Sequence, residues 1–404
     1  MKILWISHIL SYPPFGGVMQ RSYNLIKEVA KENDVYLFAF NQKALLPEEK
    51  NIFKAKTEFE RFCKLVKIFT LPSDRSKFIW YKLVLKSFFA KGGYTMNWTK
   101  LNKMQEEINK FLSKVSVDVI HCDTISLAEY VKNILNIPKT LNHHNIESHM
   151  MLRRAKKEEN LLKKLYFYME GIKLKKYEKK ICPLFDLNFV VSDLDKEHLL
   201  SNVLSLKIEI IPNGVDTNYF IPRNGKIISH NVVFAGRMNS YPNEDAVIYF
   251  LREIWPILKR EMPNASFTIA GRNPTLNIKK LIRNDSTILL TGYVDDIRLF
   301  IQQADIYVCP IRDGGGTRLK LLDAMAMSKA IVSTSIGIEG LDLINEKHVL
   351  VADDPDSFVS QLLRLYDNPD LKEYLGRNAR QLVEQNFSWG IIGRKLNDAY
   401  FSLK

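Results

Sequence analysis

Cysteine is scarce in this chain: four in 404 residues, at positions 63, 122, 182 and 309, with no Cys-x-x-Cys pair and no histidine at ligand spacing. That scarcity excludes a disulfide framework and a sequence-local zinc site, and it fits reduced thiols in the cytoplasm. No apolar run approaches the length needed to cross a bilayer. The opening MKILWISHIL is too short and too lightly flanked for a secretory leader, and is expected to form a buried first strand. Low-complexity tracts and internal repeats are missing. So are helix-turn-helix, zinc-finger and RNA-binding motifs, so the net charge of +13 does not point to nucleic acid. Asp354-Pro355-Asp356 has the Asp-x-Asp spacing of a metal site, but its place before an amphipathic stretch makes Asp354 a helix cap. No bound metal is expected.

What is present is a globular composition, 46% hydrophobic and 25% charged, in a chain too long for one ordinary core. Apolar strands alternate with amphipathic helices in two series, the pattern of parallel sheets covered on both faces. The first series is Ile3–Ser7, Val35–Phe40, Val117–Cys122, Lys139–Asn142 and Leu187–Ser192. The second is Val232–Gly236, Ser266–Gly271, Thr287–Thr291, Ile306–Pro310 and Ala330–Thr334. Between them KIEIIPNGVDTNYF reads as a strand followed by a Pro-Asn-Gly turn, a natural hinge. The expected domains are 1–212, rejoined by a terminal helix at 388–404, and 213–387.

Charge is unevenly divided. Up to Pro212 there are 35 Lys+Arg against 23 Asp+Glu, and from Asn213 onward 23 against 22. Much of the excess lies in 61–93 and 153–180, where basic residues interleave with Trp, Phe, Tyr and Leu. Such stretches suit an anionic membrane surface or an anionic acceptor, with a solvated helix face as the plainer alternative. Trp80, Phe88 and Phe89 are the candidates for insertion.

Ligands in doubly wound sheets bind beyond the carboxyl ends of the strands. After the first strand come His8 and then Gly16-Gly17, leading into a helix whose amides can approach a phosphate. After Lys139–Asn142 come His143-His144-Asn145-Ile146-Glu147, placed for proton transfer or for bonding a sugar hydroxyl. The richest segment follows Ile306–Pro310. Gly314-Gly315-Gly316 leads into an expected helix from Thr317 to Met327, a ready diphosphate site. Arg318 and Lys320 would stand in its first turn, where cations oppose the helix dipole unless an anion binds. Asp323 is suited to accept hydrogen bonds from vicinal hydroxyls of a ribose.

GGGTRLKLLDAMA together with IIPNGVDTNYF, FAGRMNSYPNEDAV, LTGYVDDI and QNFSWGIIGRKLNDAYF resembles the retaining glycosyltransferase group-1 family over nearly the whole chain. The resemblance implies the GT-B fold, an α/β architecture of two Rossmann-like domains whose parallel sheets face a central cleft. It implies a nucleoside diphosphate sugar donor, a glycan or lipid-linked acceptor, retention at the anomeric carbon, and no metal or other cofactor. Gly236-Arg237 would contact the donor diphosphate, with Tyr293 and Val294 on the base side. The family's following lysine is replaced by Pro242, leaving Arg318 or Lys320 to substitute. Its paired glutamates would fall on Gly315 and Asp323, so the amides of Gly314 to Gly316 would orient the sugar. Donor contacts would also come from Gly16, Gly17 and Thr317. His144, or else His143, would meet the transferred sugar or the acceptor, with Arg237 and Lys320 stabilising the leaving group. The expected setting is cell-surface polysaccharide or glycolipid assembly, in the cytoplasm or at the inner face of the membrane. The alternative is a non-catalytic relative that binds a membrane or a partner.

Overall fold

The computed structural model describes every residue except Phe15, Arg75, Lys91, Gly92, Asn224 and Gly314 to Gly316. The chain divides into two compact units, one of Met1–Pro212 with Ile392–Lys404, the other of Asn213–Ile391.

The first unit holds seven strands: β1 Lys2–Ser7, β2 Asp34–Asn41, β3 Leu65–Thr70, β4 Val119–Cys122, β5 Lys139–Asn142, β6 Leu187–Val190 and β7 Ile208–Ile210. All pair in parallel in the order β3-β2-β1-β4-β5-β6-β7. A central parallel strand has helices on both faces, so its apolar residues run on without alternation. In β1, Ile3 to Ile6 are all fully buried. One core around Leu4, Ile6, Phe38, Phe40 and Ile120 fixes the register in which Ile6 faces Cys122. Truncating Ile6 to Ala would cost about 2–5 kcal/mol.

The second unit repeats the order with six strands: β8 Ile228–Ala235, β9 Ser266–Ala270, β10 Ile288–Gly292, β11 Ala304–Cys309, β12 Ile331–Ser333 and β13 Leu350–Val351. Their parallel sheet runs β10-β9-β8-β11-β12-β13. In each sheet the strand order reverses once, between β1 and β4 and between β8 and β11. The loops leaving those strands diverge there and leave room for a ligand.

All eleven expected strands are found, the one read in KIEII as β7, most within two residues at each end, with β8 beginning four residues early at Ile228. Two were not expected. β3 lies inside a stretch read as basic surface, and β13 is only two residues long. The expected helix from Thr317 to Met327 is shorter, Leu319–Ala326. Arg318 has φ −89 and ψ 89, outside the helical region, and so stands at the cap rather than in the first turn. The unit boundary falls inside the Pro-Asn-Gly segment, after Pro212, and the residues beyond it pack within the second unit: a Cβ on Gly214 would lie 2.7 Å from the Trp389 ring, and Val215 bridges to Ser388.

Candidate functional site

In the first unit the loops after β1, β4 and β5 converge on one carboxylate. Asp123 follows β4 directly and is fully buried. Its Oδ2 accepts from Ser7 Oγ at 3.0 Å and Ser22 Oγ at 2.7 Å, and its Oδ1 accepts from Asn142 Nδ2 at 3.2 Å. His144 Nε2 stands 3.2 Å from Oδ1, and His8 Nδ1 3.8 Å from Oδ2. Burial alone would raise the Asp123 pKa. The facing His144, then His8 and His121, outweigh it and hold the carboxyl well below its usual range, so it is ionised at any working pH. His8 is driven down to about 4, chiefly by burial, and is neutral near pH 7.

The two imidazoles lie 5.5 Å apart between centroids. His144 is 8% exposed at its side chain; its Nε2 is paired with the Asp123 carboxylate, and its Nδ1 has no hydrogen-bond partner among the described residues. His8 Nδ1 has none either. A buried ring nitrogen without a protein partner is open to a water or to a ligand hydroxyl. Together with Asp123 these side chains place three possible ligand atoms within 4.8 Å of one another, a grouping no local spacing announced. The carboxylate already receives three neutral donors and faces two imidazoles. That arrangement suits a fixed anion orienting histidines toward a hydroxyl.

His143, adjacent in sequence, is directed elsewhere. It is 2% exposed, its Nε2 lies 3.2 Å from Asn188 Oδ1 and 4.0 Å from Cys182 Sγ, and burial lowers it to about 4. Of the two candidate histidines, His143 is a core side chain and His144 belongs to the cluster. Gly16 and Gly17 begin the helix Gly17–Val29. Gly16 has φ +102, which L side chains rarely adopt, and open space where a Cβ would lie. Arg21 on the same helix is 1% exposed and donates to Pro212 O at 2.8 Å and Asn142 Oδ1 at 3.1 Å, which secures the β5 end.

In the second unit the loops after β8 and β11 meet around Lys320. Its ammonium donates to Asn243 Oδ1 and lies 4.2 Å from the centroid of the Phe234 ring. Asn243 Nδ2 donates to Arg237 O at 2.9 Å, so this one amide ties the Gly236-Arg237 turn to the cation. Burial lowers Lys320 to about 8 from an ordinary 10.5. The same burial pushes Asp323 up to about 7, against the pull of Lys320. Among the described residues no carboxylate lies within ion-pair distance of Lys320.

Arg237 is exposed, with Nε on Asn239 Oδ1 at 3.0 Å. Thr317 is buried and its Oγ1 accepts from Asn213 Nδ2 at 2.5 Å. Arg318 is 8% exposed. Tyr293 is 62% exposed and, with Val294, follows β10, two strands from β8. Gly314, Gly315 and Gly316 lie outside the described residues. Asp354 caps its helix by accepting from Ser357 N at 2.9 Å.

Sequence reasoning missed Asp123, Ser22 and Asn142 in the first unit and Asn213 and Asn243 in the second. The only signal for Asp123 was its place one residue beyond a strand. Asn243 stands next to Pro242, where the expected lysine is missing.

A family model described as Glycosyltransferase Family 4 matches residues 15–219, half of the chain, and one described as Glycosyl transferases group 1 matches 229–368. A Klebsiella pneumoniae protein named "Uncharacterized 44.6 kDa protein in cps region" is 25% identical, over 70% of this chain and 74% of its own. The Escherichia coli UDP-Gal:alpha-D-GlcNAc-diphosphoundecaprenol alpha-1,3-galactosyltransferase is 23% identical, over 73% of this chain and 78% of its own. The structure of sucrose-phosphate synthase from Thermosynechococcus elongatus superposes with a TM-score of 0.74 at 16% identity, covering 100% of this chain and 99% of that one. At that identity the likeness establishes the fold, which is GT-B.

Proposed function

The chain belongs to glycosyltransferase family 4, and on that footing we propose that it moves a sugar from a nucleoside diphosphate sugar to an acceptor hydroxyl, with retention and without a metal. The observation that carries the reading is Lys320. A partly buried ammonium without a counter-carboxylate weakens the fold unless an anion meets it, and it stands beside the Gly236-Arg237 turn at a strand-order reversal. A diphosphate is the anion this arrangement suits.

In the proposed reaction the bond from the anomeric carbon to the β-phosphate oxygen breaks, and its electron pair stays on the diphosphate. The acceptor oxygen bonds to that carbon on the same face, and its proton passes to a diphosphate oxygen. Arg237, Arg318 and Lys320 would stabilise the growing negative charge, and Asp323 would hold the ribose hydroxyls. His144, oriented by Asp123, would hydrogen-bond the transferred sugar or the acceptor. Polysaccharide or glycolipid assembly is supported by the names of the two bacterial relatives, one in a cps region and one acting on a diphosphoundecaprenol-linked sugar.

The test is a thermal-shift screen of nucleoside diphosphates and their sugars, since a ligand that binds only the folded state raises the melting temperature. A stabilising donor that Lys320→Ala no longer binds supports the reading. No response to any donor would remove it. Retention is checked by the anomeric configuration of the first-formed product by NMR.

A further inference from the structure

One helix of the first unit faces outward with the wrong residues for water. The helix Lys77–Phe89 exposes Phe78 at 76%, Tyr81 at 64%, Leu85 at 64% and Phe89 at 79%. Their spacing of three and four residues puts all four on one stripe. Phe88, 37% exposed, borders the stripe, and Ser87 is buried. Most surface helices turn their apolar face inward. Here it is the solvent face, and single exposed apolar residues would need no explanation but a continuous stripe does.

A second patch adjoins it. Lys173 Nζ donates to Ser87 O at 3.0 Å and to Phe88 O at 2.7 Å, fixing the end of the 77–89 helix against the long helix Leu161–Ile181. The first two turns of that long helix expose Leu161 at 78%, Leu162 at 80%, Leu165 at 52% and Tyr168 at 54%. Leu165 is eight residues before Lys173, about 12 Å along the axis.

The charge around these side chains is predominantly positive. Residues 76–90 contain three lysines and no acid, and 153–168 contain six Lys+Arg against Glu158 and Glu159. Lys82, Lys86, Lys163 and Lys164 are exposed and have no acidic partner among the described residues. The basic residues earlier in 61–93 differ: Arg61 pairs with Glu58 at 2.9 Å, Lys64 with Asp34 at 3.5 Å and Lys67 with Glu107 at 2.5 Å. Among the described lysines of 61–93, the two without an acidic partner, Lys82 and Lys86, are the ones next to the apolar stripe.

We infer that this face docks on an anionic lipid bilayer, lying in its interface. Apolar side chains bordered by lysines match the boundary between acyl chains and anionic headgroups. A protein partner would need acidic groups beside an apolar groove, whereas a bilayer offers both chemistries to any such stripe. Among the described residues no helix is long and apolar enough to cross a membrane, so the contact is peripheral. The inference is independent of the proposed sugar transfer, though it would bring the enzyme to a lipid-held acceptor.

The experiment is flotation of the full chain with vesicles of phosphatidylcholine containing about 30 mol% phosphatidylglycerol. Wild type should float, and pure phosphatidylcholine or high salt should lower binding at least about tenfold. Lys82→Glu with Lys86→Glu should lower it by a similar factor. Phe78→Ser, Leu85→Ser and Phe89→Ser together should do so even at low salt, with an unchanged melting temperature because these side chains are exposed. Donor-induced thermal shift, measured on every variant, reports the sugar-transfer reading separately. Failure of wild type to float at low ionic strength would overturn the inference, as would flotation unaltered in the apolar triple variant. Sedimentation velocity showing a dimer that the same triple variant abolishes, without flotation, would assign the face to a second copy instead.

Discussion

Lys320 Nζ lies 2.9 Å from the point at which a side chain on Gly236 would begin. Asn243 Nδ2 lies 2.8 Å from the same point. The space beside the glycine is thus taken by an asparagine on the helix after β8 and a lysine on the helix after β11. Both obstructing atoms are ends of flexible side chains, so Gly236→Ala should push the ammonium away, with some added backbone strain because Gly236 has φ +158. Donor affinity should fall about tenfold, one lost charge-assisted contact, with the melting temperature within a few degrees of wild type. Unchanged affinity, measured by calorimetry, would show that the donor does not reach this turn.

Removing the cation separates stability from function. Lys320 is protonated at pH 7 although burial disfavours its charge. Lys320→Met keeps the stem and discards the charge, so it should melt no lower than wild type while donor turnover drops by roughly one to two orders of magnitude. A large fall in melting temperature would mean that the bonds to Asn243 and Phe234 hold the unit together.

Asp123 is argued to act through His144, as a positioning residue. Asp123→Asn keeps the shape but withdraws the fixed negative charge. It should lower kcat about hundredfold and leave the donor KM nearly unchanged, because the proposed charge contacts to the donor, Arg237, Arg318 and Lys320, belong to the other unit. A merely structural role would show instead as a lower melting temperature with kcat per folded molecule preserved.

The fold was legible because each long strand carried its own signal: KILWIS, DVYLFAFN and ADIYVC are continuous apolar runs that only a doubly covered sheet accommodates. β3 was not, since LVKIFT sits among lysines whose partners Asp34 and Glu107 are distant in sequence. Lys320 was legible as a cation after a glycine triplet. The cluster around Asp123 was not, because Ser7 and Ser22 lie 116 and 101 residues away along the chain. Choosing His144 over His143 also needed three dimensions. Neighbours beyond a strand end point in different directions, and only the packing of Asn188 and Cys182 shows which one is enclosed.

Metal independence is open to direct trial, and the grouping of His8, Asp123 and His144 gives the trial a specific target. Activity should persist in excess EDTA, since the proposed leaving group is neutralised by arginine and lysine. Loss in chelator, restored by Mg²⁺ or Mn²⁺, would overturn the proposed chemistry. Restoration that His144→Ala cannot show would locate the ion.

The pH profile follows from two groups in the second unit. Lys320 must be protonated to attract a diphosphate, and with its pKa near 8 the free enzyme loses that charge as pH rises through 8. Asp323 must be ionised to accept from a ribose at full strength, and with its pKa near 7 that form is lost as pH falls through 7. Since kcat/KM reports the free enzyme, it should trace a narrow bell with limbs near these two values. His8, at about 4, cannot supply the acid limb, and Asp123 stays ionised throughout. Lys320→Arg should move the alkaline limb upward by more than one pH unit, because a guanidinium keeps its proton. Asp323→Asn should flatten the acid limb and leave the alkaline one. If the bell keeps both limbs in these variants, the titrating groups lie elsewhere and the donor assignment of Lys320 and Asp323 fails.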